Sequence, residues 1–303
     1  MTKATAFAPG SIGNVGPGFD VLGLAFDGIG DTVTVELTDG PFRVDRVTGR
    51  DAELVPLDAE RNCAAIAARA YLERFGLRAI VSIEKGLPLA GGMGGSAASS
   101  VAGAYAAALA SGRSFTTLEI LAAALEGEAA VAGRHLDNIA PCVVGGLALS
   151  RSVDPIDVVP IAVAADWWVA LVTPRVRIQT KDARALLPPE TDRATWIQQM
   201  ANTTALALAF STGDAALLGR ALDDRYAEPR RAALIPHFYD VKRAALGAGA
   251  FGCSISGSGP TLFAIAADEP SARACADAMQ GAFAEVDAVV HIGAIAKTGV
   301  RRA

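Results

Sequence analysis

The sequence predicts an α+β protein of two domains, and three observations support this prediction. The chain has 303 residues, which is long for a single hydrophobic core and suits two domains of ordinary size. Apolar residues make up 51% of it and charged residues 19%, a balance typical of well-packed globular proteins. Strand-like and helix-like segments alternate in both halves, and the mixture restarts after a turn at Asp154-Pro155. We therefore expect domains at 1–160 and 161–303.

The first half is predicted to combine strands with Ala-rich helices. Runs of β-prone residues bounded by Gly, Pro and Asp predict strands at 3–7, 32–37, 42–47, 79–83 and 145–150. Helical periodicity, with Gly or polar residues at the ends, predicts helices at 62–75, 96–110 and 117–127.

The second half repeats the mixture. Apolar β-prone runs predict strands at 167–172, 252–255 and 261–266 and a further strand at Val289. Helices are predicted at 181–186, 195–210, 215–222, 238–246 and 271–283. Strands interleaved with helices in this way suit a sheet with helices packed on one face.

Composition argues against several classes of partner and site. A net charge of −5, with no run of Lys and Arg, offers no basic surface for nucleic acid. The first residues lack the basic and apolar segments of a secretory signal, and no apolar stretch is long enough to cross a bilayer, so we expect a cytoplasmic protein with no membrane partner. The cysteines lie too far apart for a zinc pair or a disulfide framework, and we interpret them as small buried hydrophobes: Cys63, Cys142, Cys253 and Cys275.

The most informative segment is the glycine loop, residues 88–98, which reads Pro-Leu-Ala-Gly-Gly-Met-Gly-Gly-Ser-Ala-Ala. Glycines let the backbone approach an anion closely, and Ser96 opens a helix whose dipole favours negative charge. This arrangement between a strand and a helix favours a nucleotide triphosphate. The candidate ATP-binding residues of the loop are Pro88, Leu89, Ala90, Gly91, Gly92, Met93, Gly94, Gly95, Ser96, Ala97 and Ala98.

Other kinds of glycine loop fit less well. A Walker A loop ends in Gly-Lys-Ser/Thr, and no Lys follows these glycines. A dinucleotide-binding loop is the runner-up, through Gly92-x-Gly94-x-x-Ala97. It starts well after the strand ends at Ile83, and no strand ending in Asp or Glu follows about 20 residues later. A flexible hinge would cost about 1 kcal/mol of conformational entropy for each glycine relative to Ala.

Three segments, in order along the chain, resemble the motifs of the GHMP kinase family. The glycine loop is similar to the second motif, usually P-x-x-x-G-L-G-S-S-A-A. Residues 8–20, Ala-Pro-Gly-Ser-Ile-Gly-Asn-Val-Gly-Pro-Gly-Phe-Asp, resemble the first motif in the form of homoserine kinases, commonly S-A-N-L-G-P-G-F-D. Residues 252–260, Gly-Cys-Ser-Ile-Ser-Gly-Ser-Gly-Pro, resemble the third.

This resemblance implies both a fold and an activity. The implied fold has an N-terminal domain like the second domain of ribosomal protein S5, a ferredoxin-like C-terminal domain and an active site between them. The implied activity is the ATP- and Mg²⁺-dependent phosphorylation of L-homoserine to O-phospho-L-homoserine, a step of threonine biosynthesis. The family also implies a homodimer.

The acceptor residues are those that resemble homoserine kinases rather than sugar or mevalonate kinases. Guanidinium groups bind a carboxylate through paired hydrogen bonds, which suits Arg184 and Arg231, while the ammonium of an amino acid suits Asp20 or Asp137. The side chains expected to orient the acceptor hydroxyl and carboxylate are those of Asn14, His135 and Asn138. The substrate-binding candidates are Asn14, Asp20, His135, Asp137, Asn138, Thr180, Arg184 and Arg231.

Ser96 and Glu128 resemble the Mg²⁺ ligands of the family, with Glu126 as the alternative. Asn138 stands where many family members have an Asp that can act as base, and an amide cannot take a proton. The resemblance therefore implies catalysis without a dedicated side-chain base. The acceptor proton passes to a phosphate oxygen or to water while Arg184 steadies the developing charge, so the catalytic candidates are Asn138 and Arg184.

The adenine side is less well defined by the sequence. Asn62 and Lys85 resemble nucleotide contacts of the family, but a helix N-cap and a solvated charge explain them equally well. Two motifs depart from the usual pattern, with Gly95 in place of a Ser and Gly13 in place of Ala. Two rival functions remain at this point: a non-catalytic sensor of ATP or an amino acid, and a GHMP kinase for another hydroxylated metabolite.

Overall fold

The computed structural model describes residues 2–303 and contains two β-sheets with helices packed against them. The strands of this range are β1 (Lys3–Gly13), β2 (Leu22–Leu37), β3 (Arg43–Gly49), β4 (Ala79–Lys85), β5 (Leu147–Val153), β6 (Ile156–Ile161), β7 (Trp168–Pro174), β8 (Gly252–Ile255), β9 (Leu262–Ala266), β10 (Ala288–Ala294) and β11 (Arg301–Arg302). The α-helices are α1 (Cys63–Leu72), α2 (Gly95–Ser111), α3 (Thr117–Ala129), α4 (Ile139–Val144), α5 (Thr180–Ala185), α6 (Arg193–Thr212), α7 (Ala215–Ala221), α8 (Glu228–Arg231), α9 (Phe238–Gly247) and α10 (Glu269–Ala282). In this part of the chain, no helix has the length and apolar character that a membrane span requires.

The first sheet has the strand order β11-β1-β2-β4-β3, and β5 and β6 extend it from β2. Only the β3–β4 pair within it is parallel. Helices α1, α2 and α3 pack against one another beside this sheet, and small side chains allow their close approach. A Cβ at Gly103 of α2 would overlap the Ala64 carbonyl oxygen of α1, so this contact requires glycine.

The second sheet has the order β10-β7-β9-β8, with antiparallel pairs throughout. Its chain order β7, α9, β8, β9, α10, β10 is the βαββαβ arrangement of a ferredoxin-like unit. Helices α9 and α10 pack on each other and on the sheet through buried residues such as Val241, Ala245, Cys275 and Met279. The other face of this sheet belongs to a hydrophobic cluster that includes residues of α6 and α7. The predicted α+β fold is therefore confirmed, but helices are not confined to one face of the sheet.

Several elements differ from the sequence prediction. Strand β2 begins ten residues before the predicted start at 32, because the Gly- and Asp-rich run before that point looks like a turn but continues the strand. Residues 23–26 and 30–31 pair with β1, and residues 22–24 pair with β5. Helix α4 was not predicted, since it contains Pro141 and β-branched residues that favour other structures. The boundary near residue 160 stays a prediction. Residues 301–302, assigned from sequence to the second domain, pair with β1 of the first sheet.

Candidate active site

A cleft lies where the two sheets meet, and elements from both sides line it. The first side contributes the turn after β1, the glycine loop, the end of α3 and the segment before α4, while the second contributes α5, α8 and the turn after β8. The predicted site residues that line this cleft are Asn14, Asp20, Asn62, Lys85, Pro88, Leu89, Ala90, Gly91, Gly92, Gly94, Gly95, Ser96, Glu128, His135, Asp137, Asn138, Thr180, Arg184 and Arg231.

Three predicted nucleotide contacts do not line the cleft. The side chains of Met93, Ala97 and Ala98 are buried in the hydrophobic core. For Ala97 and Ala98 the reason is helical geometry, since α2 turns one face of its first turn toward the core and the other toward the cleft, whereas Met93 precedes the helix. These three side chains are therefore not available to a ligand in the cleft, and the assignment of these residues to the ATP site stays a prediction that concerns their backbone groups.

The turn between β8 and β9 of the second sheet contacts the glycine loop through two hydrogen bonds. The hydroxyl groups of Thr261 and Ser256 donate to the carbonyl oxygens of Gly91 and Gly92. Gly92 has φ of 75°, and a Cβ there would lie 2.6 Å from the Ser256 carbonyl oxygen, so the close approach requires glycine. The two carbonyl groups are therefore engaged on the side of the second sheet, which restrains the loop backbone at these glycines.

Asn62 and Lys85 both line the cleft beside the glycine loop, where the helix N-cap considered for Asn62 is confirmed and the solvated charge considered for Lys85 is wrong. The Asn62 side chain accepts from the Ala65 amide at 3.1 Å, which makes it the N-cap of α1, and donates to the Pro56 carbonyl at 2.8 Å. Lys85 is not a solvated charge, because it is buried in an ion pair with Asp31. Both side chains thus shape the wall of the cleft.

Ser96 and Glu128 form a site suited to a hard cation. The Ser96 hydroxyl donates to Glu128 Oε1 at 3.0 Å, whereas the buried Oε2 has no hydrogen-bond partner among the described residues. Burial raises the pKa of Glu128 to about 7, and the nearby Asp137 adds to the effect. Glu126, the alternative, is exposed and bonded to Arg134. The unpartnered oxygen of a buried carboxylate fits a Mg²⁺ ligand.

The part of the cleft that carries the predicted acceptor residues is called the acceptor end here, and its main feature is an ion pair between the two sides of the cleft. Arg184 donates from Nη1 and Nη2 to the two carboxylate oxygens of Asp20, each at 2.9 Å. Nδ1 of His135 lies 3.8 Å from the same carboxylate, and burial lowers the pKa of this imidazole. Asp20 is thus already paired, which leaves Asp137 as the carboxylate better placed for an ammonium group.

Arg231 is the second guanidinium of this end and is almost fully buried. It donates to the carbonyl oxygens of Gly257 at 3.0 Å and Ala183 at 3.3 Å. The centroid of the Phe19 ring lies 5.3 Å from the guanidinium carbons of both Arg231 and Arg184, so both cations interact with the same aromatic ring.

Asn14 connects the first and third motifs. Its side chain accepts from the Asp20 amide at 3.0 Å and donates to the Gly257 carbonyl at 2.9 Å, and its own amide donates to Asp137 Oδ2 at 3.2 Å. Asn14 has φ of 67°, a conformation that Asn tolerates better than most residues. These bonds hold the segment from Asn14 to Asp20 against the turn that follows β8 of the second sheet.

Asn138 and Asp137 face each other at the centre of the cleft. The Ser11 hydroxyl donates to Asn138 Oδ1 at 3.0 Å, which turns the amide nitrogen toward Asp137 Oδ2 at 3.5 Å. Burial raises the pKa of Asp137 to about 7, and the charge of Asp20 contributes further. Thr180, at the start of α5, lies at the rim with its hydroxyl 3.5 Å from that of Ser258.

Sequence reasoning missed four residues that shape this cleft. Ser11 and Phe19 lie within the first motif and Ser258 within the third, so the motifs included these residues but did not indicate what each of them does. Asp31 had no motif signal, because an acidic residue in a β-prone run is ordinarily assigned to the solvent face.

Two family models match this chain. The model for the GHMP kinases N terminal domain matches residues 62–146, and the model for the GHMP kinases C terminal matches residues 205–285.

Relatives from distant organisms match this chain over nearly its full length, at about the same sequence identity. A homoserine kinase from Chloroherpeton thalassium is 41% identical over 300 residues, which covers 94% of this chain and 94% of that protein. A homoserine kinase from Arabidopsis thaliana is 40% identical over 307 residues, covering 98% of this chain and 83% of that protein.

Solved structures share the fold. The crystal structure of homoserine kinase from Cytophaga hutchinsonii superposes with a TM-score of 0.92 at 39% identity and covers 100% of this chain and 98% of that one. An L. major mevalonate kinase in complex with R-mevalonate has a TM-score of 0.73 at 17% identity, covering 96% and 97%, a likeness that shows the fold alone.

Proposed function

Because the chain belongs to the GHMP kinase family and, within it, to the homoserine kinases, we propose that it transfers the γ-phosphoryl group of ATP to the side-chain hydroxyl of L-homoserine. The products are O-phospho-L-homoserine and ADP. One observation of the molecule supports this most directly. A single cleft joins an unpartnered buried carboxylate beside a phosphate-type loop to a second end that carries two guanidinium groups and a buried Asp.

The nucleotide end is built to receive phosphate without a lysine from the loop itself. The carbonyl groups of Gly91 and Gly92 are fixed toward the second sheet, and α2 begins at Gly95 with its N-terminal dipole directed at the cleft. Negative charge on the β- and γ-phosphates is therefore met by backbone N–H groups and by the helix dipole.

We propose that Glu128 Oε2 and the Ser96 hydroxyl hold Mg²⁺. No group of three or more His, Cys, Asp or Glu suited to a metal occurs within residues 2–303, so phosphate and water oxygens are expected to complete the shell, as is usual for this ion. Bound Mg²⁺ supplies charge neutralisation at the transferring phosphate.

The acceptor end selects an amino acid by its two charges. The guanidinium groups of Arg184 and Arg231 suit the carboxylate, and Asp137 suits the ammonium group. For Arg184 to receive the carboxylate, its pair with Asp20 has to be shared or exchanged, which makes the acceptor site selective for a ligand that replaces both bonds. Sugars carry no carboxylate and cannot do this.

Transfer then depends on orientation rather than on a dedicated base. Ser11 fixes the Asn138 amide so that it presents its N–H groups, and a donor of this kind orients the acceptor oxygen without taking its proton. The proton leaves to a phosphate oxygen or to water as the new P–O bond forms, and Arg184 stabilises the charge that develops.

The test is coupled ADP release with Mg²⁺-ATP and a panel of L-homoserine, L-serine, L-threonine, mevalonate and galactose. Turnover on homoserine well above the other acceptors is the expected result. Saturable ATP binding with no turnover on any of them contradicts the proposal and favours a sensor or an acceptor outside the panel.

We also propose a homodimer in the cytoplasm. Resemblance to the family supports the dimer. Sedimentation equilibrium at assay concentration distinguishes one copy from two.

A further inference from the structure

A buried ion pair lies directly beneath the glycine loop. It joins Lys85, a predicted nucleotide contact, to Asp31, a residue to which neither the motifs nor the mechanism gives a role. Asp31 of β2 is fully buried, and so is nearly all of the Lys85 side chain at the end of β4. The Lys85 ammonium contacts Asp31 Oδ2 and donates to the Ser99 hydroxyl at 2.8 Å. Ser99, one turn into α2, in turn donates to the same Asp31 oxygen at 2.6 Å.

This network reaches both ends of the glycine loop. On the entering side, Asp31 Oδ1 accepts from the amides of Gly86 at 3.0 Å and Leu87 at 3.1 Å. On the leaving side, Lys85 donates to the carbonyl oxygen of Gly95, the first residue of α2, at 3.1 Å. One carboxylate and one ammonium thus fix the distance between the segment that enters the loop and the helix that leaves it.

A buried ion pair costs desolvation energy that hydrophobic residues would not, so its presence is weak evidence for stability alone. Here the cation also lines the cleft. An ammonium at this position adds positive charge below the site where phosphate is expected, and the partner carboxylate determines where that charge lies.

We propose that Asp31 is a positioning residue for nucleotide binding. It acts through Lys85 and Ser99 by holding the Lys85 ammonium and both ends of the glycine loop in the geometry that receives the phosphates. This inference rests on the proposed function for its choice of nucleotide but does not depend on which acceptor is phosphorylated.

The experiment is calorimetric titration of the full chain with Mg²⁺-ADP, without any acceptor. Asp31→Asn keeps an oxygen for the two amides but removes the charge, and we expect it to weaken binding by about tenfold or more, as loss of a charge-assisted bond predicts. The KM for homoserine should change less than about twofold, since the acceptor end is held by other contacts.

Two adjacent serines give a matched pair that avoids the risk of misfolding. Ser99→Ala removes a hydroxyl of the network, whereas Ser100→Ala removes an equally buried hydroxyl that has no hydrogen-bond partner among the described residues. We expect about a threefold loss of Mg²⁺-ADP affinity for the first, as for a net hydrogen bond, and no change for the second.

Equal affinities of Ser99→Ala and Ser100→Ala, or a folded Asp31→Asn protein that binds Mg²⁺-ADP like the parent, would overturn the inference. A parent protein that binds Mg²⁺-ADP but does not phosphorylate homoserine would contradict the proposed function and leave this test intact. A parent protein that does not bind Mg²⁺-ADP would overturn both.

Discussion

The two ends of the cleft differ in how their charges are compensated before any ligand arrives. At the acceptor end the ions are paired within the protein, Arg184 with Asp20 through two bonds and Arg231 with two carbonyl oxygens. At the metal end, Glu128 keeps a buried oxygen with no partner among the described residues. A ligand at the first end must exchange bonds, which favours selectivity, whereas a ligand at the second supplies a missing bond, which favours affinity.

The strongest test of this contrast is Glu128→Gln. Loss of a metal ligand should lower kcat/KM for Mg²⁺-ATP by about 100-fold or more, because charge neutralisation at the phosphate is most of the catalysis. The same change removes a buried charge, so the melting temperature at pH 8 should not fall.

Glu126→Gln is the matched control, since Glu126 is exposed and pairs only with Arg134. Steady-state kinetics at several Mg²⁺ concentrations and thermal melts measure both effects. A large loss of activity in the control, or full activity in Glu128→Gln, would contradict the assignment of Glu128 as metal ligand.

Arg184→Ala should have the next largest effect. It removes the carboxylate clamp and leaves Asp20 without its bidentate partner, so we expect kcat/KM for homoserine to fall about 100-fold while the KM for ATP changes little. The matched control is Arg175→Ala, which removes an exposed arginine paired with Asp287. Unchanged turnover in Arg184→Ala would refute the role of this residue in transfer.

Gly13→Ala tests how closely the acceptor end is packed. A Cβ at Gly13 would lie 2.5 Å from Asn138 Nδ2 and 2.5 Å from Asp137 Oδ2, so these side chains would have to move. Overpacking of this kind costs about 1–3 kcal/mol, and we expect the KM for homoserine to rise about tenfold. Gly281→Ala, where nothing lies within 4 Å, is the control. Equal kinetics for the two variants would show that the acceptor end is loosely packed.

The raised pKa values of two buried carboxyl groups predict how the stability of the protein depends on pH. Burial raises the pKa of both Glu128 and Asp137 to about 7, so the folded protein holds protons that the unfolded chain has released. The stabilisation that these groups contribute is fully present at pH values below the pKa that they have in the unfolded chain. It is lost as the pH rises through about 7, their pKa in the folded protein.

The free energy of unfolding of the ligand-free protein should therefore fall between about pH 5 and pH 8, as measured by denaturant titration. Glu128→Gln should show a shallower fall over the same range. A parent protein whose stability rises steadily across this interval would show that these two carboxyls do not dominate the pH dependence.

The smallest expected effect is that of Gly95→Ser, which restores the serine usual in this motif. A Cβ at Gly95 would lie 3.2 Å from the Pro88 carbonyl oxygen, a tight contact that a small shift of the loop would relieve, and 3.6 Å from Lys85 Nζ. We expect the KM for ATP to fall about two- to threefold, as one added hydrogen bond predicts. Gly94→Ser is the contrasting variant, because its Cβ would overlap the Ser11 hydroxyl. An equal response of the two would mean that the loop adapts freely.

Contiguous motifs explain why much of the site was predictable. The glycine loop and the residues from Asn14 to Asp20 are each read from one short segment, and most of the loop, together with Asn14 and Asp20, lines the cleft. The pairing of Asp20 with Arg184 was not predictable, because it joins residues far apart in sequence and depends on how the two sheets meet. Asp31 was missed for the same reason, since its partner lies on a neighbouring strand.

The fold was predicted best where an apolar segment has clear residues at its boundaries. The Ala-rich helix α2 and the strand pair β8 and β9 were placed almost to the residue. The beginning of β2 and helix α4 were missed, since Gly, Asp and Pro punctuate turns in most sequences and only pairing or packing overrides them.

The return of the chain to its first sheet has a topological consequence. Because the Ala303 amide donates to the Thr5 carbonyl at 3.1 Å and β11 pairs with β1, the beginning and end of the chain lie side by side. The ferredoxin-like unit is therefore an insertion that the chain enters and leaves through the first sheet. A circular permutant with joined ends and new termini in an exposed loop should keep the whole cleft. A fragment that ends at residue 160, by contrast, would lack β11, the strand that pairs with β1.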